Sequence, residues 1–211
     1  MTLTSYIRKM ACAAGLLGLT MTSSAQAIVI TGITMDVHTT NNIMVNGADD
    51  ATSLMTRFNS GAPLCAVALT EFTTVGGPQT CGLSNQYFAT LYTIDYTLNG
   101  TADFQLGADW GLGGIIIGAD GGDIVRTDNI WWANNWGNGD VIDFSISDTG
   151  SGTFQLLGFE NCCSGANSLR VSRDGGQTYA AARVPEPAGL ALLGLGLMGL
   201  ATARKRRKKI A

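Results

Sequence analysis

The chain has 211 residues and a formal net charge of −3, and its length allows one ordinary domain with short appendages. Between Ile28 and Arg183 there are only five basic residues, all Arg, against fifteen acidic ones, so this region carries a net charge of −10. Such a region repels a phosphate backbone, which excludes nucleic acid as an expected partner.

Residues 1–27 have the three parts of a secretory signal peptide. Arg8 and Lys9 supply the positive start, residues 10–20 are mostly apolar, and the stretch Ala-Gln-Ala that ends at Ala27 is the pattern that signal peptidase recognises. We therefore expect cleavage after Ala27 and export of the mature chain to an oxidising compartment.

Four cysteines remain in the mature region, namely Cys65, Cys81, Cys162 and Cys163. Export makes disulfides their expected state, and four cysteines allow three pairings. A local Cys65–Cys81 bond is favoured because a short loop closes most easily, and it leaves Cys162 and Cys163 to pair with each other. Crossed pairing, in which each loop cysteine bonds to one of the adjacent two, is the competing interpretation. Zinc is a weaker one, because no His lies near.

The pattern of residues 28–182 predicts a mainly β domain, an antiparallel β-sandwich of jelly-roll-like type. It contains one helical candidate, residues 50–59, which Gly61 would end. Alternating apolar residues predict strands on both sides of Asn99-Gly100 and on both sides of residues 149–152, so we expect two hairpins there. Strands that recur about every ten residues favour a sandwich.

Aspartates are the candidates for a metal site. Asp109, Asp120 and Asp123, with Asp128 nearby, could supply oxygen ligands to calcium. Aspartates more often form turns, and no EF-hand spacing is present. We therefore expect no metal and no cofactor, with calcium as the weaker alternative.

Four tryptophans, Trp110, Trp131, Trp132 and Trp136, give the domain its most distinctive chemistry. Indole faces stack on sugar rings, and the Asn side chains around Trp136 could bond to hydroxyl groups, so Trp131, Trp132 and Trp136 are candidate sugar-binding residues. The alternative is that at least two of the four fill the core. Because adjacent strand residues face opposite ways, we expect one of Trp131 and Trp132 to be exposed. We also expect Trp136, in loop-like sequence, to be exposed.

Residues 172–179 read Ser-Arg-Asp-Gly-Gly-Gln-Thr-Tyr. This stretch resembles the Asp-box hairpin of sialidase propellers, in which the Asp side chain closes the turn and the aromatic ring packs beneath it. A propeller needs repeats of such a unit, and this stretch occurs once. We therefore expect a structural hairpin rather than a catalytic element.

The carboxyl end of the sequence has three consecutive parts. Residues 183–187 are a linker that contains Pro185-Glu186-Pro187, residues 188–203 are an uncharged and mostly apolar predicted transmembrane helix, and residues 204–211 form a basic tail. The apolar run is shorter than the roughly 20 residues of a full crossing, but thinning of the bilayer and snorkelling of Arg204 make a crossing feasible. The basic tail would stay in the cytoplasm, which places the acidic domain outside.

This arrangement resembles the PEP-CTERM sorting signal, whose substrates are processed by the membrane protease exosortase. The resemblance implies that Pro185, Glu186 and Pro187 form the recognition and processing site. It also implies a transient inner-membrane intermediate with the ectodomain in the periplasm, followed by release to the cell surface or the extracellular space.

Three further blocks, residues 108–114, 130–136 and 158–165, contain Asp-Trp-Gly, Trp-Trp and Cys-Cys-Ser-Gly steps. Together they resemble the CCXG group of PEP-CTERM proteins. They are also loosely similar to protective-antigen-type β-sandwiches, some of which bind sugars.

The leading interpretation is a secreted surface or extracellular-matrix protein, not an enzyme, that associates with exopolysaccharide. The chain has a single His, and no local motif suggests a Ser-His or Cys-His pair. One alternative is a carbohydrate-binding module that uses the tryptophans. A weaker one is a glycoside hydrolase that uses Glu160 and an aspartate as its two carboxylates.

Overall fold

A computed structural model describes residues 28–82, 87–161 and 165–186. The predicted signal peptide and the predicted transmembrane helix lie outside the described residues and stay predictions. Within the described ranges, no helix is long and apolar enough to cross a membrane.

The described residues form a mainly antiparallel β structure, as predicted, with ten strands and two short helices. The strands are β1 (Val29–Thr39), β2 (Pro63–Ala68), β3 (Phe88–Gly107), β4 (Asp109–Trp110), β5 (Gly114–Ile117), β6 (Ile124–Arg126), β7 (Ile130–Trp131), β8 (Ile142–Glu160), β9 (Ser168–Ser172) and β10 (Ala180–Ala181). The helices are α1 (Ala51–Ser60) and α2 (Gly77–Thr80).

Two long strands, β3 and β8, form the centre of the sheet and pair along their whole length. The register runs from Phe88 opposite Glu160 to Leu106 opposite Ile142. The two predicted hairpins are therefore wrong, because each apolar half-strand pairs with the other long strand instead of with its own neighbour. Gly100 has a φ of 115°, so the Asn-Gly step has the conformational freedom of a turn but is used inside a strand.

The paired strands bend sharply around the core. Phe154 is opposite Ile94, and Phe144 is opposite Phe104 ten residues further along β3. A straight strand would separate these positions by about 33 Å, yet the rings of Phe104 and Phe154 are 5.0 Å apart. The ribbon thus folds over onto itself at its glycine-containing middle, and one continuous sheet encloses the main apolar core.

Shorter strands complete both sides of this ribbon. One half of β3 pairs with β1, which pairs in turn with β2, and the other half pairs with β9, which is followed by β10. On the other side, β8 pairs with β5, which is followed by β6. β4 and β7 pair only with each other and form a separate two-stranded sheet.

Helix α1 covers the outer face of the sheet and confirms the predicted helix. Asp50 caps its first turn by accepting a hydrogen bond from Ser53 N at 2.7 Å, and the helix ends before Gly61 as expected. Leu54 and Phe58 are buried in a second, smaller apolar cluster. This amphipathic face explains why a ten-residue helix is stable here.

A disulfide joins Cys65 in β2 to Cys81, directly after α2. The Cα atoms are 6.2 Å apart, which is within the range of disulfide geometry. This is the local pairing favoured from the sequence, and it excludes the crossed pairing and the zinc interpretation at these two cysteines. Cys162 and Cys163 lie outside the described residues, so their bond to each other stays a prediction.

Candidate functional site

The separate two-stranded sheet carries one buried tryptophan, Trp110, and one exposed tryptophan, Trp131. Asp109 is opposite Trp131, and Trp110 is opposite Ile130. Directly opposed residues point to the same side of a sheet. Trp110 and Ile130 are 1% and 0% exposed, so their side faces the core. The other side carries Asp109 and Trp131, and the Trp131 side chain is 63% exposed.

The buried indole rings pack directly against the backbone of glycines. A Cβ added at Gly158 would come within 2.1 Å of the Trp110 ring, and one at Gly114 within 2.4 Å. Trp132, which is 4% exposed, packs in the same way against Gly107, where an added Cβ would lie 2.3 Å from the ring. These glycines are therefore required by packing, because each lets an indole contact the backbone directly.

The backbone of Trp131 is fixed by the loop that precedes β8. Asp140 accepts a hydrogen bond from Trp131 N at 3.1 Å, and Asn138 Nδ2 donates to Trp131 O at 3.0 Å. Asn138 Oδ1 in turn accepts from Asp140 N at 3.0 Å. The ring therefore projects into solvent from a backbone that is bonded on both its polar groups. Asn138, one of the Asn side chains expected to bond sugar hydroxyl groups, bonds instead to the backbone of Trp131, and the role of Asp140 was not predicted from the sequence.

Asp109 connects the exposed sheet to the end of the Cys-Cys-Ser-Gly step. Its carboxylate accepts a hydrogen bond from Gly165 N, and its own N–H donates to Asn167 Oδ1 at 2.9 Å. Partial burial raises the pKa of the Asp109 carboxyl, and the bond from Gly165 opposes that rise. Asp109 thus connects β4, the partner strand of β7, to Gly165 and Asn167.

The loop after Trp132 contains a tight turn in a strained conformation. Ala133 and Asn134 have φ values of 55° and 54°, and Asn135 N donates to Trp132 O at 3.0 Å. A left-handed conformation is unusual for Ala, because its Cβ is then close to the following carbonyl. Strain of this kind is found where a loop must hold one shape.

A second aromatic group lies on the opposite side of the chain from Trp131. The rings of Trp132 and Trp136 are 4.7 Å apart, and Trp132 Nε1 donates to Ala166 O at 2.6 Å. The Arg170 guanidinium lies 4.2 Å from the centre of the Trp136 ring and 4.8 Å from that of Tyr179. These groups border a cleft of about 340 Å³ that Thr73, Thr74 and Asn134 also line.

The three candidate sugar-binding residues differ in how far solvent can reach their rings. Trp132 belongs to the core and offers no free ring face. Trp136 was expected to be exposed but is half-buried, because Trp132 contacts one side of its ring and Arg170 lies over it. Trp131 is the only fully exposed ring of the three. The expected division of Trp131 and Trp132 into one exposed and one buried residue is confirmed, and Trp110 and Trp132 are the two expected in the core.

The predicted hairpin at residues 172–179 is confirmed between β9 and β10. Asp174 closes it by accepting hydrogen bonds from Ser172 Oγ at 2.6 Å and from Thr178 Oγ1 at 2.6 Å. These bonds hold the pKa of the Asp174 carboxyl at about 2. Gly175 and Gly176 supply the positive φ angles, 72° and 81°, that the turn needs. The hairpin places Tyr179 against Arg170.

The candidate calcium ligands Asp109, Asp120 and Asp123 each accept hydrogen bonds from the protein itself. Asp120 accepts from Ser147 N and Oγ at 2.9 and 2.7 Å, and Asp123 accepts from Gly118 N at 3.0 Å. In the part of the chain that the structure describes, no group of three His, Cys, Asp or Glu side chains could hold a metal ion.

Glu160, considered as one of two hydrolytic carboxylates, is 3% exposed. Its Oε2 accepts a hydrogen bond from Gly111 N at 3.1 Å. This contact joins the end of β8 to the turn after β4, which is a structural use of the carboxylate.

The paired chain continues into the segment predicted as a linker. The backbone of Arg183 forms an isolated antiparallel β-bridge with that of Glu71, and Val184 N donates to Thr70 O at 2.9 Å. Pro185 and Glu186 follow directly, and Pro187 lies outside the described residues.

Residues 183–207 match the PEP-CTERM protein-sorting motif. The chain therefore carries this sorting signal, which implies export, transient anchorage in the membrane and processing by exosortase. No curated protein matches the sequence of the chain. The resemblance to the CCXG group stays a prediction.

Among solved structures, the chain is similar to the PA14 domain of the MpAFP antifreeze protein, with a TM-score of 0.52, 14% identity and coverage of 74% of this chain and 89% of that one. The fold of the described residues therefore resembles that of a PA14 domain, as the similarity to protective-antigen-type sandwiches implied.

Two further similar structures have lower TM-scores. The A domain of Epithelial Adhesin 9 from Candida glabrata, in complex with Galb1-3GlcNAc, has a TM-score of 0.45 and 11% identity, with coverage of 76% of this chain and 88% of that one. The PA14 sugar-binding domain from an RTX adhesin has a TM-score of 0.43 and 12% identity, with coverage of 74% and 100%.

Proposed function

We propose that this chain, sorted through its PEP-CTERM motif, is a non-enzymatic surface or extracellular-matrix protein that binds a neutral polysaccharide through the exposed face of β4 and β7. In this proposal signal peptidase cleaves after Ala27, and exosortase processing in the region of residues 185–187 then releases the domain from the inner membrane. The exopolysaccharide around the cell is the expected partner.

The observation that carries the binding proposal is the environment of Trp131. Its side chain is 63% exposed, whereas Trp110 and Trp132 are 1% and 4% exposed. A large apolar ring that stays in water contributes little to folding, but it offers a flat face on which a sugar ring can stack and lose water. Because the strand that carries it is bonded at both backbone groups, little conformational freedom would be lost on binding.

Polar groups beside the ring fit the hydroxyl groups of a sugar. The Asp109 carboxylate lies on the same side of the two-stranded sheet as Trp131. One of its oxygens accepts from Gly165 N, and the remaining acceptor sites of the carboxylate can take a hydroxyl donor. The net charge of the region favours a neutral ligand over a polyanion, since residues 28–183 contain fifteen acidic side chains and only five basic ones.

The non-enzymatic part of the proposal is supported by how the carboxylates are used. A glycoside hydrolase of the usual kind needs two carboxylates that face each other across the scissile bond. Glu160 is buried and bonded to Gly111 N, and Asp174, Asp120 and Asp123 close turns or bond to neighbouring strands. Incubation of the protein with neutral polysaccharides should release no reducing ends.

Protection of Trp131 by a ligand tests the binding proposal directly. Acrylamide quenching of tryptophan fluorescence should fall when neutral β-glucan or galactan is added to the purified exported protein. The same titration of Trp131→Phe should show no such protection. Alginate, a polyanion, should protect less. If none of these polysaccharides alters the quenching of the wild-type protein, the binding proposal is wrong, while the sorting assignment is unaffected.

Processing is tested by mass spectrometry of the exported protein. Its amino terminus should be Ile28, and the residues beyond the Pro-Glu-Pro motif should be absent. An intact basic tail on the final product would mean that the carboxyl end serves as a permanent anchor.

A further inference from the structure

The sorting motif begins inside the folded domain rather than after it. Ala182 N donates to Leu169 O at 2.9 Å, and Ala182 O accepts from Phe72 N at 2.8 Å. Two residues later, Val184 N donates to Thr70 O at 2.9 Å. The matched motif starts at residue 183, so its first two residues are bonded through their backbone to the folded domain.

This segment is firmly held. Ala182 is 0% exposed, and Val184 packs against the main apolar core. Detaching residues 182–184 would break all three of these backbone hydrogen bonds and expose apolar surface, both of which oppose release. The processing enzyme therefore meets the segment in its bonded form.

Chain length places the processing site close to the domain surface. Only Pro185, Glu186 and Pro187 separate Val184 from the apolar run that begins at Ala188. Four residues span at most about 14 Å when fully extended. An enzyme that acts on the Pro-Glu-Pro motif at the membrane must therefore contact the part of the domain from which the chain emerges.

That part of the surface is a charged cleft of about 550 Å³, lined by Thr70, Glu71, Arg173, Arg183 and the start of the motif itself. Two of the five basic residues between Ile28 and Arg183 lie here, in a region that is otherwise strongly acidic. Arg173 is exposed, and the single salt bridge of the described residues, Arg126–Asp128, does not involve it. Its guanidinium is available to a carboxylate of a partner.

We propose that this cleft is a docking surface for the processing enzyme, so that the enzyme recognises the folded domain as well as the tail, with Arg173 contacting an acidic group of the enzyme. The proposal depends on the sorting motif and is independent of polysaccharide binding.

Pulse-chase measurement of tail removal from the full chain, in cells that contain the enzyme, tests this surface. Arg173→Gln should slow processing by about tenfold, the effect of losing one charge-assisted contact. Gln177→Glu is the matched control, because it changes the net charge equally on the same turn without lining the cleft. It should be processed at the wild-type rate, and both variants should keep the wild-type melting temperature.

Two further measurements can overturn the proposal. A Gly-Ser insertion between Val184 and Pro185 should slow processing, because it moves Pro185-Glu186-Pro187 away from Arg173 and from the residues that are bonded to the domain. Faster processing would mean that the domain only obstructs the enzyme. A photo-crosslinker at exposed Thr70 should link the full chain to the enzyme, and one at exposed Asn46 should not. Crosslinks to lipid alone, or an unchanged rate for Arg173→Gln, would show that the enzyme does not use this surface.

Discussion

Trp131 and Trp132 are consecutive residues with opposite surroundings. The first is 63% exposed and the second 4%. Trp132 lies on Gly107 and donates to Ala166 O, whereas Trp131 is bonded only through its backbone and presents its ring to solvent. One step along an extended chain reverses the side to which a residue points. The comparison separates a residue that maintains the fold from one that is free to meet a ligand.

The largest expected effect is on stability at Trp132. Trp132→Ala should lower the free energy of unfolding by about 3–5 kcal/mol, because it leaves a cavity over Gly107. Trp131→Ala is the control and should change it by no more than about 0.5 kcal/mol. Urea denaturation measures both. Equal losses for the two variants would remove the distinction between them.

Removal of the disulfide should lower stability without a direct effect on the exposed face of β4 and β7. Replacing Cys65 and Cys81 by Ser should lower the free energy of unfolding by about 3 kcal/mol, because the bond closes a loop across a sequence separation of 16 residues. Polysaccharide binding, measured where the variant is still folded, should be unchanged. A parallel fall in affinity would show that the Trp131 face depends on global stability.

The contribution of the hairpin at residues 172–179 to stability should depend on pH. The pKa of Asp174 is lowered to about 2 by bonds from Ser172 and Thr178, so its contribution to stability is present above its unfolded pKa of about 4. That contribution is lost as the pH falls through about 2. Asp174→Asn should therefore be less stable than the wild type at pH 7 and should lose less stability between pH 4 and pH 2.

Thermal melting across this pH range checks the acid response. Asp123→Asn serves as a control for the removal of one exposed carboxylate elsewhere on the domain. If Asp174→Asn and the wild type lose stability in parallel between pH 4 and pH 2, the carboxylate does not close the turn in solution.

The smallest effect is expected at the strained turn after Trp132. Ala133→Gly removes the Cβ from a left-handed residue, which relieves about 1 kcal/mol of strain, but it also adds freedom to the unfolded chain. Stability should therefore rise by less than about 1 kcal/mol. Ala133→Val should lower it, because a β-branched residue tolerates this conformation poorly. A rise for the Val variant would mean that the turn is not left-handed.

Local patterns in the sequence predicted what local interactions determine. Helix α1 has its cap and apolar face within ten residues, and the hairpin at residues 172–179 has its closing groups within eight. The division of Trp131 and Trp132 follows from strand periodicity alone. These features need no information about distant parts of the chain.

Long-range pairing decided what the sequence could not predict. The apolar halves of β3 and β8 are equally compatible with two hairpins or with one pair of long strands, and the choice depends on contacts between residues 36 or more positions apart. Trp136 has loop-like neighbours but is covered by Arg170, 34 residues further along the chain. Asn138 and Asp140 are only 7 and 9 residues from Trp131, but an irregular loop has no repeating pattern from which its side-chain bonds could be predicted.

The most direct test is the affinity of three versions of the exported protein for one neutral polysaccharide, measured by titration calorimetry. Trp131→Ala should lose binding by at least about tenfold while its melting temperature stays unchanged, and Trp131→Phe should recover part of it, because a smaller ring still stacks. Tyr87→Ala, which alters another exposed aromatic residue at 43% exposure, should bind as the wild type does. Undiminished binding by Trp131→Ala would contradict the assignment of the exposed indole as the sugar platform.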